Sequence, residues 1–262
     1  MDLPRRTIRM AGSHPFRLSV IDVGPDDPAA PPATLVLIHG AGGAARQWAR
    51  QIAHFRRRFR VIAPDLRGHG QSDVPRSAYT LEEFLWDLSQ VLDRLGVAAP
   101  FVLVAHSFGG PVAMTYAAGQ PQRVGRLVLI ASGPEMHLNP ALELTMQLPL
   151  PTRLLEFVAP VIYPKLNTPL FVVQRIIGGT LFPWRGWEML PHIPTPTLLV
   201  GGADDGIVPP TTLERMRERM PDARLQIVPQ AGHLVQIEQP AAVNRAIDRF
   251  LRAPAEGGTD AA

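Results

Sequence analysis

The chain has 262 residues, 46% of them hydrophobic, a formal net charge of +3 and no cysteine. That length and apolar content support a sizeable core in one α/β domain with an insertion. The lack of cysteine excludes disulfides, thiolate catalysis and cysteine-ligated metal.

The sequence pI of about 9.9 reflects arginine chemistry more than a basic surface. Lys165 is the sole lysine, and guanidinium groups raise the isoelectric point without building a strong field at neutral pH. The one dense cationic run is Arg56, Arg57, Arg58 and Arg60, placed between a helix and a strand. It predicts a solvated turn, and no nucleic-acid partner is expected. Met1 to Arg6 is not followed by the apolar stretch of about 7–15 residues that a signal peptide needs. No apolar run reaches the length of about 18 that spans a membrane, so the cytoplasm is the default location. No feature fixes an oligomeric state.

In chain order, 7–10 and 16–21 read as an antiparallel hairpin, and 34–39 as a strand buried on both faces. Gly40-Ala41-Gly42-Gly43 follows at the strand's end, where small residues let backbone amides approach a ligand closely. Trp48, Ile52 and Phe55 have helical spacing, and 60–64 is a further strand. Asp65 to Asp73 is polar and glycine-rich, which predicts a long ordered loop. Thr80 with Glu83 forms a capping box for a helix whose apolar face runs Leu81, Phe84, Leu85, Leu88, Leu92 and Leu95, with Gly96 as its stop.

The run Phe101 to His106 breaks into Ser107-Phe108-Gly109-Gly110, and a helix over 111–117 begins at once. The serine therefore sits on a strand-to-helix turn, a strained position for which Ala105, Gly109 and Gly110 supply small neighbours. Such a turn lifts the hydroxyl of Ser107 and aims the amide of Phe108, at the positive end of the new helix, towards an anion forming beside it. Strands follow at 126–130, 197–201 and 224–228, with helices at 210–220 and from Pro240 onward. This alternation demands a mostly parallel sheet flanked by helices.

Between residues 134 and 196 the composition shifts to recurrent prolines with short amphipathic pieces at 141–148, 154–158 and 170–177. These predict a small helical lid inserted after the sixth strand. The expected organisation is a core of 1–133 and 197–252, a cap of 134–196 and a disordered tail of 253–262. Phe182, Trp184 and Trp187 stand in the cap around Pro183 and Gly186, so they cannot share one long helix face. They are candidates for substrate contact, with packing of the cap as the alternative.

Two further loops carry chemistry. Asp204 and Asp205 follow the strand at 197–201, and His233 with Leu234 follows the last strand. Loops at the carboxyl ends of parallel strands converge on one rim, so Ser107, an aspartate and His233 can meet although far apart in sequence.

The order serine, acid, histidine resembles that of the α/β-hydrolase family. The resemblance covers nearly the whole chain. His39 to Gly43 is similar to the family's oxyanion loop, Asp65 to Asp73 to the loop after the next strand, and Gly232-His233 with Glu238 and Pro240 to its histidine loop. Ala105 stands where the elbow pattern usually has glycine. The resemblance implies an α/β-hydrolase fold and a serine hydrolase with Ser107 as nucleophile, His233 as base and Asp205 as acid. Asp205 matches the family's spacing after Gly202 better than Asp204. The amides of Ala41 and Phe108 are the expected oxyanion donors, and Gly42, His106 and Leu234 expected substrate contacts.

No metal or organic cofactor is needed for this chemistry. The apolar cap points to a small or medium, largely apolar carboxylic ester or lactone as the small-molecule partner. Family relatives with the same triad also hydrolyse carbon–carbon bonds of ring-cleavage products or perform cofactor-free perhydrolysis. A binding protein retaining the fold is the reading from another class. Haloalkane dehalogenase and epoxide hydrolase relatives place an aspartate where Ser107 stands.

Overall fold

The apolar runs Thr34–Ile38 (β3), Arg60–Pro64 (β4), Phe101–His106 (β5), Val124–Ile130 (β6) and Thr197–Gly202 (β7) are too uniformly buried to border solvent. Each needs cover on both faces, which crossover helices supply. The computed structural model describes residues 3–11, 15–25, 33–135 and 168–253. Its strands form one eight-stranded sheet in the order β1-β2-β4-β3-β5-β6-β7-β8, where β1 is Arg5–Met10, β2 is Phe16–Val23 and β8 is Ala223–Val228. The β1–β2 and β2–β4 pairs are antiparallel, and the remaining pairs are parallel.

The twofold period of a strand divides the core. Val36 and Ile38 of β3 face one apolar cluster, while Leu35 and Leu37 face the other. The first cluster takes Phe84, Leu88 and Leu92 from Leu81–Arg94 (α2), Val112 and Met114 from Gly109–Gly119 (α3) and Leu213 and Met216 from Pro210–Arg219. The second takes Ile52 and Phe55 from Ala49–Phe55 (α1) and Val243, Ile247 and Phe250 from Pro240–Arg252. In chain order the later helices are α4 (Leu170–Ile176), α5 (Pro210–Arg219), α6 (Val235–Glu238) and α7 (Pro240–Arg252).

The capping box of α2 is formed in both directions. The Thr80 hydroxyl accepts from the Glu83 amide at 3.4 Å, and Glu83 Oε2 accepts from the Thr80 amide at 3.0 Å. Helix α4 continues into one π-helical turn, Ile177–Leu181, and Leu190–His192 is a 3₁₀ turn. The pieces expected at 141–148 and 154–158 lie outside the described residues, as does the tail beyond Ala253.

Two details differ from the sequence reading. The arginine run is not simply a solvated turn: Arg60 grips Asp22 with two hydrogen bonds of 2.9 Å, and Arg58 pairs with Asp248. Carboxylates of β2 and α7 reach these positions only through tertiary packing. The short helix α6, which carries the chain away from His233, has too few residues to show a period of its own.

Candidate active site

Strand β5 ends at His106 and α3 begins at Gly109, so two residues must reverse the chain. Ser107 makes the turn with φ of 51°, in the left-handed region, a conformation that costs of the order of 1–3 kcal/mol and persists only where neighbours enforce it. They do so here. The Ser107 amide donates to the Ile130 carbonyl at 3.1 Å, and the buried Ser132 hydroxyl donates to the Ser107 carbonyl at 2.9 Å. The loop after β3 lies directly against this turn: a Cβ on Gly40 would stand 2.9 Å from the Cβ of Ser107.

The loops after β7 and β8 meet in a similar way. A Cβ on Gly202 would lie 2.2 Å from the Ala231 carbonyl oxygen, so glycine lets the two loops touch. Asp204 is exposed and supplies its amide to that carbonyl at 2.9 Å. The next residue turns inward: the Asp205 side chain is fully buried, and its Oδ1 accepts from the amides of Ile207 at 2.8 Å and Val208 at 3.0 Å.

His233 Nδ1 lies 3.0 Å from Asp205 Oδ2, and His233 Nε2 lies 2.9 Å from Ser107 Oγ. A carboxylate only accepts, so Nδ1 carries the proton and Nε2 presents its lone pair to the serine hydroxyl. Burial would raise the Asp205 carboxyl, but the hydrogen bond and charge of His233 and the two amides hold it below the usual carboxylate value.

Three buried imidazoles brace the rim around this chain of contacts. His39 Nδ1 donates to the Gly40 carbonyl at 2.8 Å while Nε2 accepts from the Leu66 amide at 3.0 Å. His69 Nδ1 donates to the Arg67 carbonyl at 2.8 Å while Nε2 accepts from the Gly42 amide at 3.1 Å. His106 Nε2 donates to the His233 carbonyl at 2.9 Å. Burial, with neighbouring imidazoles, pushes His39 down to about 4 and His69 and His106 to about 3, so all three are neutral. Asp65, fully buried and paired with Arg5 at 2.7 Å, accepts from the amides of Ala45 at 2.6 Å and Gln71 at 3.0 Å. The loop after β3 is thus tied to the loop after β4 at several points.

The rim opens on a cavity of about 720 Å³, within the range of small-molecule sites. Of the residues expected from the sequence, Ser107, His233, Ala41, Gly42, His106 and Leu234 line it. Asp205 stands behind His233. The Phe108 ring turns into the core, edge-on to Phe84 at 4.9 Å, while its amide remains at the turn. Among the described residues, no acceptor takes the amide of Ala41 or of Phe108.

Phe182, Trp184 and Trp187 do not line this cavity. Trp187 meets two cations of α5, Arg215 at 4.4 Å and Arg219 at 4.9 Å from its ring centre. Trp184 folds back over Gly186 and packs on the core, and Phe182 is half-buried, with its carbonyl taken by Arg185. The two indoles thus make cation–π and apolar contacts within the protein.

The sequence reading assigned no part to Ser132, His69 or Asp65 here. The polar density of Asp65 to Asp73 was the one available sign, because so many polar groups can order a loop only by bonding inward.

A mostly parallel sheet whose carboxyl rim gathers a serine on a strained turn, a histidine after the last strand and a carboxylate after β7 defines an α/β-hydrolase architecture. The chain belongs to the Alpha/beta hydrolase family, whose family model matches residues 35–246.

Among solved structures it is similar to a thermophilic esterase from Thermogutta terrifontis, 27% identical with a TM-score of 0.78, covering 95% of this chain and 98% of that one. It is also similar to a structure described under novel epoxide hydrolases from metagenomes of hot environments, 25% identical with a TM-score of 0.80, covering 97% and 100%. An uncharacterised protein of Mycobacterium tuberculosis is 29% identical over 290 residues, 94% of this chain and 78% of that protein. Among the described residues no helix is long and apolar enough to cross a membrane.

Proposed function

We propose that this chain is a serine hydrolase that cleaves a small to medium carboxylic ester, open or cyclic as in a lactone, through an acyl-enzyme on Ser107. The observation that carries this reading is the unbroken chain from Ser107 Oγ through His233 to Asp205, with contacts of 2.9 and 3.0 Å, opening on the cavity. A serine hydroxyl is a weak nucleophile until a base takes its proton, and the free Nε2 lone pair of His233 faces that proton. As Oγ attacks the ester carbonyl, His233 becomes an imidazolium, stabilised through Nδ1 by the Asp205 carboxylate. His233 then returns the proton to the departing alkoxide. Water, activated by the same nitrogen, releases the acid and restores Ser107.

The amides of Ala41 and Phe108, taken by no acceptor among the described residues, are the donors assigned to the oxyanion. Each such donor is typically worth about 2.7–4 kcal/mol in the transition state. The similarity to a thermophilic esterase agrees with this chemistry. The epoxide-hydrolase neighbour does not redirect it, because those relatives use an aspartate nucleophile and the elbow here carries Ser107.

The test is covalent. A fluorophosphonate is expected to label Ser107, and Ser107→Ala is expected to abolish both labelling and turnover of p-nitrophenyl butyrate while keeping the melting temperature. Undiminished turnover by the purified variant sinks the assignment. An acyl burst with no steady-state turnover instead favours the binding-protein reading.

A further inference from the structure

The lining of the cavity beside Ser107 combines two unlike sets of side chains. One is formed by the 3₁₀ turn Ala45–Trp48 and by α1, and presents Arg46 and Arg50, exposed side chains spaced so that they share one face. Neither guanidinium meets a carboxylate or any hydrogen-bond acceptor among the described residues, whereas Arg5, Arg60 and Arg67 are each paired with an aspartate. The lining includes no Asp or Glu, and its His106 is neutral, so this set keeps its positive charge. The lining also includes Leu234 and Ile237, which are 45% and 46% exposed. Only four large apolar side chains among the described residues are exposed, and two of them stand here. Ser107 and His233 share this lining.

We infer that this cleft takes an ester bearing a single anionic group, held by Arg46 and Arg50, with an alkyl or aryl portion lying on Leu234 and Ile237. The inference rests on the proposed serine hydrolase reading and names its substrate class. A guanidinium pair matches the planar oxygens of a carboxylate, and an apolar surface wetted in the absence of substrate gains from being covered. The charge is carried either on the acyl part, as in a monoalkyl ester of a dicarboxylic acid, or on the alcohol part, as in an acylated hydroxy acid. The anion binds the cleft before and during the reaction alike, so its contribution is expected in KM more than in kcat.

The experiment compares kcat/KM for two ester series, monomethyl esters of dicarboxylic acids and butyryl esters of hydroxy acids, each against its neutral primary amide. The wild-type protein is expected to prefer the acid over the amide by at least about fivefold in one series, and that series identifies which side carries the charge. Raising the salt concentration is expected to shrink the preference. In the double variant Arg46→Gln, Arg50→Gln the ratio should fall to near one, and in Arg46→Lys, Arg50→Lys part of it should return.

A wild-type ratio near one, with Ser107-dependent turnover of p-nitrophenyl butyrate intact, overturns the anion subsite and leaves the reaction assignment standing. A double variant that keeps the wild-type ratio also overturns it, since the anion is then held elsewhere. Turnover of either series that survives Ser107→Ala instead breaks the reaction assignment. Both arginines are exposed, so the glutamine variant is expected to melt with the wild type; if it does not, the lysine variant carries the comparison of ratios.

Discussion

The loop after β3 and the segment from Ile177 to His192 both lack strands, yet buried side chains supply most of the hydrogen bonds that hold the first, whereas the second adds stacked indoles to backbone bonds and the Thr180 hydroxyl's bond to the Tyr79 carbonyl. Around Gly40 to Ala45, His39, Asp65 and His69 supply donors and acceptors at 2.6–3.1 Å, all from positions with almost no exposure. Around Trp184 to Leu190, two arginines press on one indole, and another indole folds over a glycine. Hydrogen bonds in a buried setting are directional and fix atoms to fractions of an ångström, whereas stacking and apolar contact tolerate sliding. The braced rim is therefore better suited than the stacked segment to hold side chains in fixed positions.

This comparison is most exposed to failure at the acid loop. Asp205→Asn is expected to lower kcat by roughly 10⁴, as the same change does in serine proteases, because the amide favours the wrong tautomer of His233. Asp204→Asn is expected to leave kcat nearly unchanged, its side chain being exposed. Steady-state kinetics of the two purified variants check the ranking, and a reversed order would move the acid to Asp204.

The next effect concerns the brace itself. His69→Ala removes the acceptor of the Gly42 amide. It is expected to lower kcat by about tenfold, and by no more than about 10²-fold, with little change in KM, since displacements of about 1 Å in a site cost at most that order. An orphaned buried donor costs about 1–3 kcal/mol, so the melting temperature should fall as well. A variant that loses stability but keeps kcat would show that the brace is not needed to place the loop.

Acid tests all three buried imidazoles together. Their folded-state values of about 4, 3 and 3 lie below the ordinary 6.5, so the unfolded chain binds protons first as the pH falls. Their contribution is fully present above pH 6.5 and is lost progressively as the pH drops towards 4 and below. Asp205, also held low, adds to the loss at still lower pH. The melting temperature is expected to decline across that window, and His69→Gln should flatten the decline. A variant whose acid profile overlays the wild type would remove His69 from the account.

The smallest effect belongs to the stacked segment. Trp187→Ala forfeits two cation–π contacts of about 0.5–1 kcal/mol each, which predicts a melting temperature lower by a few degrees. The ester chain length giving the highest kcat/KM should not move, because Trp187 faces α5 and not the cavity. A shifted profile would return Trp187 to the substrate side.

Local pattern was enough to read much of this protein. The uniformly apolar runs at β3, β4, β5, β6 and β7 announce strands covered on both faces, and the Thr80–Glu83 pair and the apolar stripe of α2 announce that helix, because these signals lie within one element. The order of Ser107, Asp205 and His233 was legible for the same reason: each stands just past a recognisable strand, and parallel strands deliver their ends to one rim. Periodicity does not report partners across the chain. That Asp205 turns inward while Asp204 turns out, that Ser132 grips the Ser107 carbonyl, and that His69 reaches the Gly42 amide depend on loops meeting after the sheet is assembled. The same holds for Trp187, whose arginine neighbours come from a helix beyond the next strand, and for Arg46 and Arg50, which share a cavity with Leu234 only once α6 has packed beside the 3₁₀ turn Ala45–Trp48. Composition and spacing thus determine which elements form and where reactive residues sit along them, while distances, protonation states and the chemistry of the cleft arise from contacts between elements that no local pattern encodes.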